Sequence, residues 1–578
     1  MRPVPSTKHV LSVTIFLAFA AGSGYLAWKD HRLGEEQIGF ATASLKRHQP
    51  NLLNYDTVYG EVHAQGRLPQ LHTPVFLSLM ELSLIPTNYE DLALPFRVGV
   101  APFVFLYLCG MYALLWRQSR SSTISCYVAV LSATVIQTFG NWFWGIGTLA
   151  SITPQGVLIA FSPLLLLSYL QNAHRSQVVV TFGAIGLCAN LHLISAMNLA
   201  LILLAVHLGR NRFSLQAVIR GVGCAVFFAA GACPYVLYFI LLRRSVAAAA
   251  GDPAVSSQAV LHALRISELA VLYPELLRSL LNWGLYVAAL AVPAGVLLWR
   301  LERFRARNLD LWLWMAGMAL FVALGLHGLN QALGRVGDSA PPMIDFIQAS
   351  AWVMLPLYVI FAQALTHLFR IVRRNRRYLR YAFGLFLLIW MLPSENLRLV
   401  RHEIYDLATR FLDEADRPMR VQEIDEQDAE RNELAAIADW AGSRTDVDAI
   451  FVTDQDEFRM LARRGVLVCR DDVRMFYYLA PWSLGEWTDL LLKQYQWLRP
   501  PYAPRKLQAA VSALADTDAY RGVPEWYVLL QADPTTSPVA PLQAVPSGRW
   551  GTHWRVFRIP LPAKINQTPE TSPVLKEK

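Results

Sequence analysis

Apolar residues in the first 393 positions gather into long runs separated by short charged stretches, and a helix needs about 20 such residues to cross a bilayer. The opening run is Val10–Trp28, and further apolar segments lie near 96–116, 124–139, 155–170, 177–190, 193–208, 221–242, 281–299, 309–328, 349–369 and 381–393. The 177–208 stretch reads as two short helices or as one long bent one. The opening run follows Arg2 and Lys8 and contains Ala18-Phe-Ala-Ala-Gly22, small residues of the kind a signal peptidase uses. It exceeds the roughly 7–15 apolar residues of a signal peptide, so it reads as an uncleaved anchor. After 393 the pattern changes period. Residues 433–440 read as helix, 449–453 as strand, 457–464 as helix and 466–469 as strand, the spacing of a βαβ unit. Runs 526–530 and 554–558 read as two more strands, 413–433 as an acidic connector and 564–578 as a frayed end. The predicted fold is a polytopic α-helical membrane domain of about 11 spans over residues 1–393, followed by a soluble α/β domain over 394–578.

Composition agrees with this division. Hydrophobic residues make up 54% and charged residues 16% of the 578, where soluble domains carry about 25% charged residues. Six Cys, 33 Gly and 32 Pro exclude collagen-like and disulfide-framework chains. The formal net charge of +9 invites a nucleic-acid reading until it is split by position. Residues 394–578 carry 23 Lys+Arg against 28 Asp+Glu, leaving 29 basic and 15 acidic residues in the first 393. The basic residues cluster in alternate short loops: Arg117 and Arg120; Arg175; Arg210, Arg212 and Arg220; Arg300 to Arg307; Arg370 to Arg380. Lys and Arg accumulate on the cytoplasmic side, so the pattern predicts a cytoplasmic N-terminus and an outward tail, and no nucleic-acid partner. In a bacterium this is a multi-pass inner-membrane protein with a periplasmic domain, in contact with membrane lipids. The tail contains one cysteine, Cys469, so it forms no internal disulfide.

No GxxxxGK[ST], GxGxxG, HExxH, GxSxG or CxxC motif is present, which removes the usual support for nucleotide, zincin or thiol-redox chemistry. Position along the chain carries the remaining signal. The loop at 29–94 contains Asn54-Tyr-Asp-Thr-Val-Tyr-Gly-Glu-Val-His63 and continues into a semi-apolar stretch, 71–85, suited to a helix lying on the membrane surface. Asp56, Glu61 and His63 are placed to converge near that surface, where partial burial raises a carboxyl toward general-base duty, and His63 and His72 are substrate-binding candidates. Solvation in an ordinary loop is the alternative. Arg243 and Arg244 end a span against the charge trend; they, Arg335, Arg265 and Arg278 are candidates for a lipid phosphate, with interfacial snorkelling as the competing role. Asn190 and His192 sit where two short helices meet, as substrate-binding candidates or as packing residues.

This order of parts resembles the GT-C type of membrane glycosyltransferase: one anchor, a long first loop with an acid near its start, many further spans, then an outward α/β tail. Thr73-Pro-Val-Phe-Leu77 looks like the proline-aromatic stretch of that loop. The tail run from Ala449 to Val468, followed by Glu486-Trp487, is similar to tails of bacterial GT-C-like proteins. The resemblance implies transfer of a sugar from a polyprenyl-phosphate-linked donor to a glycan or lipid acceptor at the periplasmic face, in envelope or exopolysaccharide assembly. It implies Asp56 as the acid, with Glu61 as second choice. The first loop contains neither an Asp-Asp nor an Asp-x-Asp pair, so a divalent metal cofactor stays open. Two other classes compete: a transporter, and a non-enzymatic membrane subunit whose tail binds a partner.

Overall fold

A computed structural model describes residues 7–29, 33–60, 68–134, 137–139, 142–144, 146, 152–173, 175–251, 254–267, 308–336, 346–371, 404–405, 407–409, 411–412, 417, 419–500, 502–532, 540–546 and 550–561. Contacts divide the chain into two units. The first comprises Met1–His48, Arg67–Asp425 and Val473–Gly485; the second comprises Gln49–Gly66, Glu426–Asp472 and Glu486–Lys578. This differs from a single cut at 393. A piece of the first loop belongs with the α/β unit, and two pieces of the tail, the stretch up to Asp425 and Val473–Gly485, belong with the helical one.

The first unit is helical: α1 Thr7–Lys29, α2 Glu35–His48, α3 Pro74–Leu84, α4 Leu94–Ser119, α5 Ser122–Thr134, α6 Pro154–Asn172, α7 Val178–Cys188, α8 Leu193–Arg210, α9 Leu215–Ala249, α10 Ser257–Ile266, α11 Leu309–Leu320, α12 His327–Val336 and α13 Met354–Ile371. A two-stranded hairpin, β1 Gln137–Phe139 with β2 Trp142–Trp144, follows α5. Among the described residues, seven helical stretches are long and apolar enough to cross a membrane: His9–Lys29, Leu94–Ser119, Pro154–Asn172, Leu193–Arg210, Leu215–Ala249, Leu309–Asn330 and Phe346–His367. Each coincides with a predicted segment. The segment at 124–139 instead ends early, at Thr134, and turns into the hairpin, while 177–190 yields only the short α7. The segments at 281–299 and 381–393 lie outside the described residues.

Local chemistry explains several boundaries. Thr153 and Ser214 cap α6 and α9, accepting from the backbone N–H of Gly156 at 3.1 Å and Ala217 at 3.4 Å, and Pro154 occupies the first turn where a missing N–H costs nothing. The α7–α8 stretch is not one bent helix, because His192 adopts an extended backbone with φ −146° and starts α8 afresh. α7 and α9 approach through glycines. A Cβ on Gly231 would lie 2.6 Å from the Gly183 carbonyl oxygen, and one on Gly186 would strike the Phe228 carbonyl, so only small residues permit this contact.

The second unit is built on a five-stranded sheet. Its elements in chain order are α14 Met419–Arg444 (whose last part belongs here), β3 Ile450–Val452, α15 Asp456–Ala462, β4 Gly465–Val466, then, beyond α16 Val473–Leu479 of the first unit, α17 Leu484–Leu498, α18 Pro504–Ala515, β5 Trp526–Gln531, β6 Gln543–Ala544 and β7 Trp554–Arg558. The order is β4-β3-β5-β7-β6, with β3 parallel to β4 and β5, and β7 antiparallel to both its neighbours. The predicted βαβ unit is present. The acidic connector at 413–433 is helix from Met419 onward, as the first part of α14. Leu434, Ile437, Ala438 and Ala441 recur at helical spacing and bury against the sheet with Phe451, Phe458 and Tyr527. The Phe451 and Tyr527 rings stack 5.0 Å apart. Glu433, on the same helix, accepts hydrogen bonds from the backbone N–H groups of Gly551, Thr552, His553 and Trp554, and so fixes the entry to β7.

Candidate functional site

In the helical unit, α2 begins a few residues after the first long apolar helix. Gly34 N–H donates to Gln37 Oε1 at 2.9 Å, and Gln37 Nε2 reaches the Ile152 carbonyl at 3.2 Å. That clamp orients the first turn, which carries Glu35 and Glu36. Glu35 is exposed and Glu36 is half-buried. Burial pushes the Glu36 carboxyl above its ordinary value of 4.5, and the charge of Arg474 opposes the rise. Arg474 lies on α16, which packs against the turn Leu68–Leu71, α9 and α10. It is the one charged residue in the helix Val-Arg-Met-Phe-Tyr-Tyr-Leu, and among the described residues it makes no hydrogen bond. Its field also reaches His192, whose pKa burial lowers to about 4. His192 Nδ1 accepts from Ser195 N–H at 3.2 Å, which requires a neutral ring and leaves the proton on Nε2. The charge of Arg474 thus acts on both the Glu36 carboxyl and the neutral His192 ring.

Around them, Tyr235 and Tyr238 of α9 donate to the carbonyls of Leu71 (3.2 Å) and Gln70 (2.8 Å), holding the 68–71 turn. His72 follows that turn. Its ring packs on Phe40 at 4.4 Å, burial lowers its pKa to about 4, and Nε2 is buried without a hydrogen-bond partner. Asn190 has a different task. Its amide donates to the Gly231 carbonyl at 2.9 Å and accepts from Tyr235 N–H at 3.1 Å, inserting itself into the backbone ladder that Pro234 interrupts in α9. Arg243 and Arg244 are exposed on α9, which continues past them to Ala249. Glu61 and His63 lie outside the described residues, as does the Arg335 side chain. Among the described residues, no group of three or more His, Cys, Asp or Glu is arranged to hold a metal ion.

Asp56 belongs to the other unit and is buried at 0% exposure. Oδ1 accepts from the N–H groups of Val58 (2.9 Å) and Tyr59 (3.0 Å); Oδ2 accepts from Val466 N–H (3.0 Å) and Arg459 Nε (2.6 Å). Arg459 in turn makes a two-pronged contact with Asp472, at 2.9 and 3.1 Å, and sits 5.1 Å from the Tyr59 ring centre. Asp472 Oδ2 also accepts from Cys469 N–H at 2.9 Å. Thr57 donates to the Leu467 carbonyl, and Gly60 closes the turn where a side chain would strike the Asn54 and Asp56 carbonyls. Every strong acceptor direction of Asp56 is occupied by the fold. The first-loop segment is thereby tied to α15 and β4, which explains why 49–66 joins the α/β unit.

The structure places His72, Asn190 and His192 in the helical unit and Asp56 in the α/β unit. It adds Glu36 and Arg474. The signal for Glu36 was available, since Glu35 and Glu36 open the first helix after the anchor. Acids are ordinary at a helix N-terminus, and that masked it. Arg474 closes the charged stretch Arg470-Asp-Asp-Val-Arg474, and nothing in the sequence marks it from those neighbours.

No protein-family model and no curated protein matches the chain. Solved structures do. The chain is similar to the oligosaccharyltransferase of Archaeoglobus fulgidus tethered to an acceptor peptide, at 14% identity and a TM-score of 0.38, over 80% of this chain and 64% of that one. The apo form of the same enzyme gives 14% and 0.39 over 91% and 70%, and its complex with an inhibitory peptide and a dolichol-phosphate gives 14% and 0.38 over 91% and 69%. The chain spans less than two thirds of the first of these structures.

Proposed function

We propose that the chain is a GT-C-type membrane glycosyltransferase that takes a sugar from a polyprenyl-phosphate-linked donor at the periplasmic face, for envelope or exopolysaccharide assembly. The observation that carries this reading is the pairing, directly after the first long apolar helix, of a carboxyl raised by burial with a nearby cation that makes no hydrogen bond to a described residue. In such a reaction the acceptor hydroxyl attacks the anomeric carbon, its proton passes to the Glu36 carboxylate, and the glycosyl–phosphate bond breaks. Arg474 meets the charge that develops on the departing phosphate, which a guanidinium suits. His192 Nε2–H is a second donor to the phosphate or sugar, and exposed Arg243 and Arg244 are suited to guide the anionic lipid. In this reading Asp56 holds the α/β unit together and is not the base. The test is genetic and chemical. A deletion strain should accumulate the lipid-linked donor, wild-type protein should clear it, and Glu36→Gln should not. Clearance by Glu36→Gln at normal protein levels would refute the assignment.

A further inference from the structure

One end of the helical unit carries arginines that the proposed transfer does not use. Contacts between helices show which termini meet there. A Cβ on Gly99 would lie 3.3 Å from Ile152, near the start of α6, and one on Gly110 would lie 3.1 Å from Leu164. So α4 and α6 run the same way and finish side by side. Ser168 and Thr181 meet at 2.9 Å across the α6–α7 turn, and Cβ atoms on Gly221 and Gly223 would touch Leu208 and Val179 at 3.2 Å. The α4–α5, α6–α7 and α8–α9 turns therefore share one end, and each exposes an arginine: Arg120, Arg175 and Arg212. The sequence has no Asp or Glu between Asp91 and Asp252. Asp310 of α11 answers Arg210 at 2.9 Å; among the described residues Arg120, Arg175 and Arg212 make no ion pair.

Two of these arginines stand where glycine is the ordinary choice. Arg120, just past α4, has φ 59° and closes the helix by donating its N–H to the Trp116 carbonyl at 3.0 Å. After α8, Arg212 N–H donates to the Gly209 carbonyl at 3.1 Å and Phe213 N–H to that of Leu208 at 3.0 Å, the paired bonds of a Schellman turn. Arg212 has φ 49° and Phe213 φ 51°, in the left-handed region that a Cβ makes costly. The second residue of such a turn ordinarily folds its apolar side chain back on the helix. Phe213 is instead 68% exposed, and Leu215, which opens α9, is 76% exposed. Strain of this kind persists where the side chains it displays have a use. Both α8 and α9 are long and apolar enough to cross a membrane, and exposed Val218, Ile219 and Val222 continue from Leu215 along α9. The patch is thus continuous with the apolar surface of a span, at the level where headgroups begin.

We propose that the α8–α9 turn, with Arg120 and Arg175 at the same end, binds anionic phospholipid: Phe213 and Leu215 enter the acyl boundary and the guanidiniums hold headgroup phosphate. A zwitterionic headgroup brings a cation of its own, which these arginines repel, so the net-anionic class is selected. Native mass spectrometry tests this on the full-length protein, released from detergent holding phosphatidylglycerol and phosphatidylcholine in equal amounts. Wild type should retain phosphatidylglycerol over phosphatidylcholine by at least about fivefold, the size of one arginine's attraction to an anionic surface. Arg120→Gly combined with Arg212→Gly removes two charges and relieves two strained turns. That double variant should melt no lower than wild type and yet lose the preference. Arg212→Lys should keep it, and Phe213→Ser should lower retention of both lipids. Glu36→Gln should bind as wild type does, because the proposed transfer site takes no part. Equal retention of the two lipids by wild type, or an unchanged preference in the double glycine variant, would overturn the proposal. So would a dimer that Phe213→Ser dissociates with no lipid retained, which would give the turn to a second copy of the chain.

Discussion

Replacing Asp56 with Asn keeps the volume and removes the charge from a closed network. One amide face would present N–H groups where Val58 and Tyr59, or Val466 and Arg459, now donate. Whichever way it turns, two donors lose their acceptor and face another donor. Arg459 keeps Asp472, so the guanidinium is not orphaned. Breaking one side of a buried ion pair costs about 3–5 kcal/mol, and each orphaned buried donor about 1–3 kcal/mol; because these overlap, about 4 kcal/mol is expected for the α/β unit. That is a large share of the roughly 5–15 kcal/mol a domain has in total. Hydrogen exchange on the full-length protein in detergent reads it directly. Amides of 49–60, β4 and the 467–472 segment should lose protection together by about three orders of magnitude, the equivalent of 4 kcal/mol. Arg459→Met should do the same, and combining the two should cost far less than their sum. Protection within tenfold of wild type in Asp56→Asn would refute the structural role and return Asp56 to candidacy as a base.

Other expectations follow from the same geometry. Glu36→Gln should lower sugar transfer by about 100- to 10,000-fold, the usual range for a general base, with hydrogen exchange in the α/β unit unchanged. Burial raises the Glu36 pKa, and a base works only when ionised, so the acid limb of kcat/KM should lie above pH 4.5. Removing the opposing cation with Arg474→Met should move that limb to still higher pH. A limb that stays in place would separate Arg474 from Glu36. Asn190→Leu should destabilise the helical unit by about 1–3 kcal/mol in thermal unfolding, while transfer per folded molecule is retained. Glu433→Leu should strip four backbone N–H groups of their acceptor and cost about 3 kcal/mol, read as lost protection of β7.

Much of the architecture was written in periodicity. Seven apolar runs became long helices because continuous apolar sequence leaves little else to form, and the run 526–530, which reads as a strand, forms β5, the middle strand of the sheet. What could not be read was long-range partnership. Asp56 in an Asn-Tyr-Asp-Thr loop looks solvent-facing until Arg459, 403 positions later, is known to meet it. Asn190 looks like an intramembrane polar residue with a ligand until Pro234 is seen to open the ladder it repairs. His192 was marked by position and proves to cap α8. Glu36 escaped because its local explanation as a helix N-terminal acid was sufficient; only the burial supplied by the rest of the helical unit distinguishes it from Glu35.

The division of labour between Glu36 and Asp56 is tested most directly by measuring both variants side by side in one membrane preparation, for conversion of polyprenyl-phosphate-linked sugar and for exchange protection of 49–60. Glu36→Gln should abolish conversion and leave protection native, whereas Asp56→Asn should strip protection from 49–60. Full conversion by Glu36→Gln, or native protection with conversion lost in Asp56→Asn, would contradict the account.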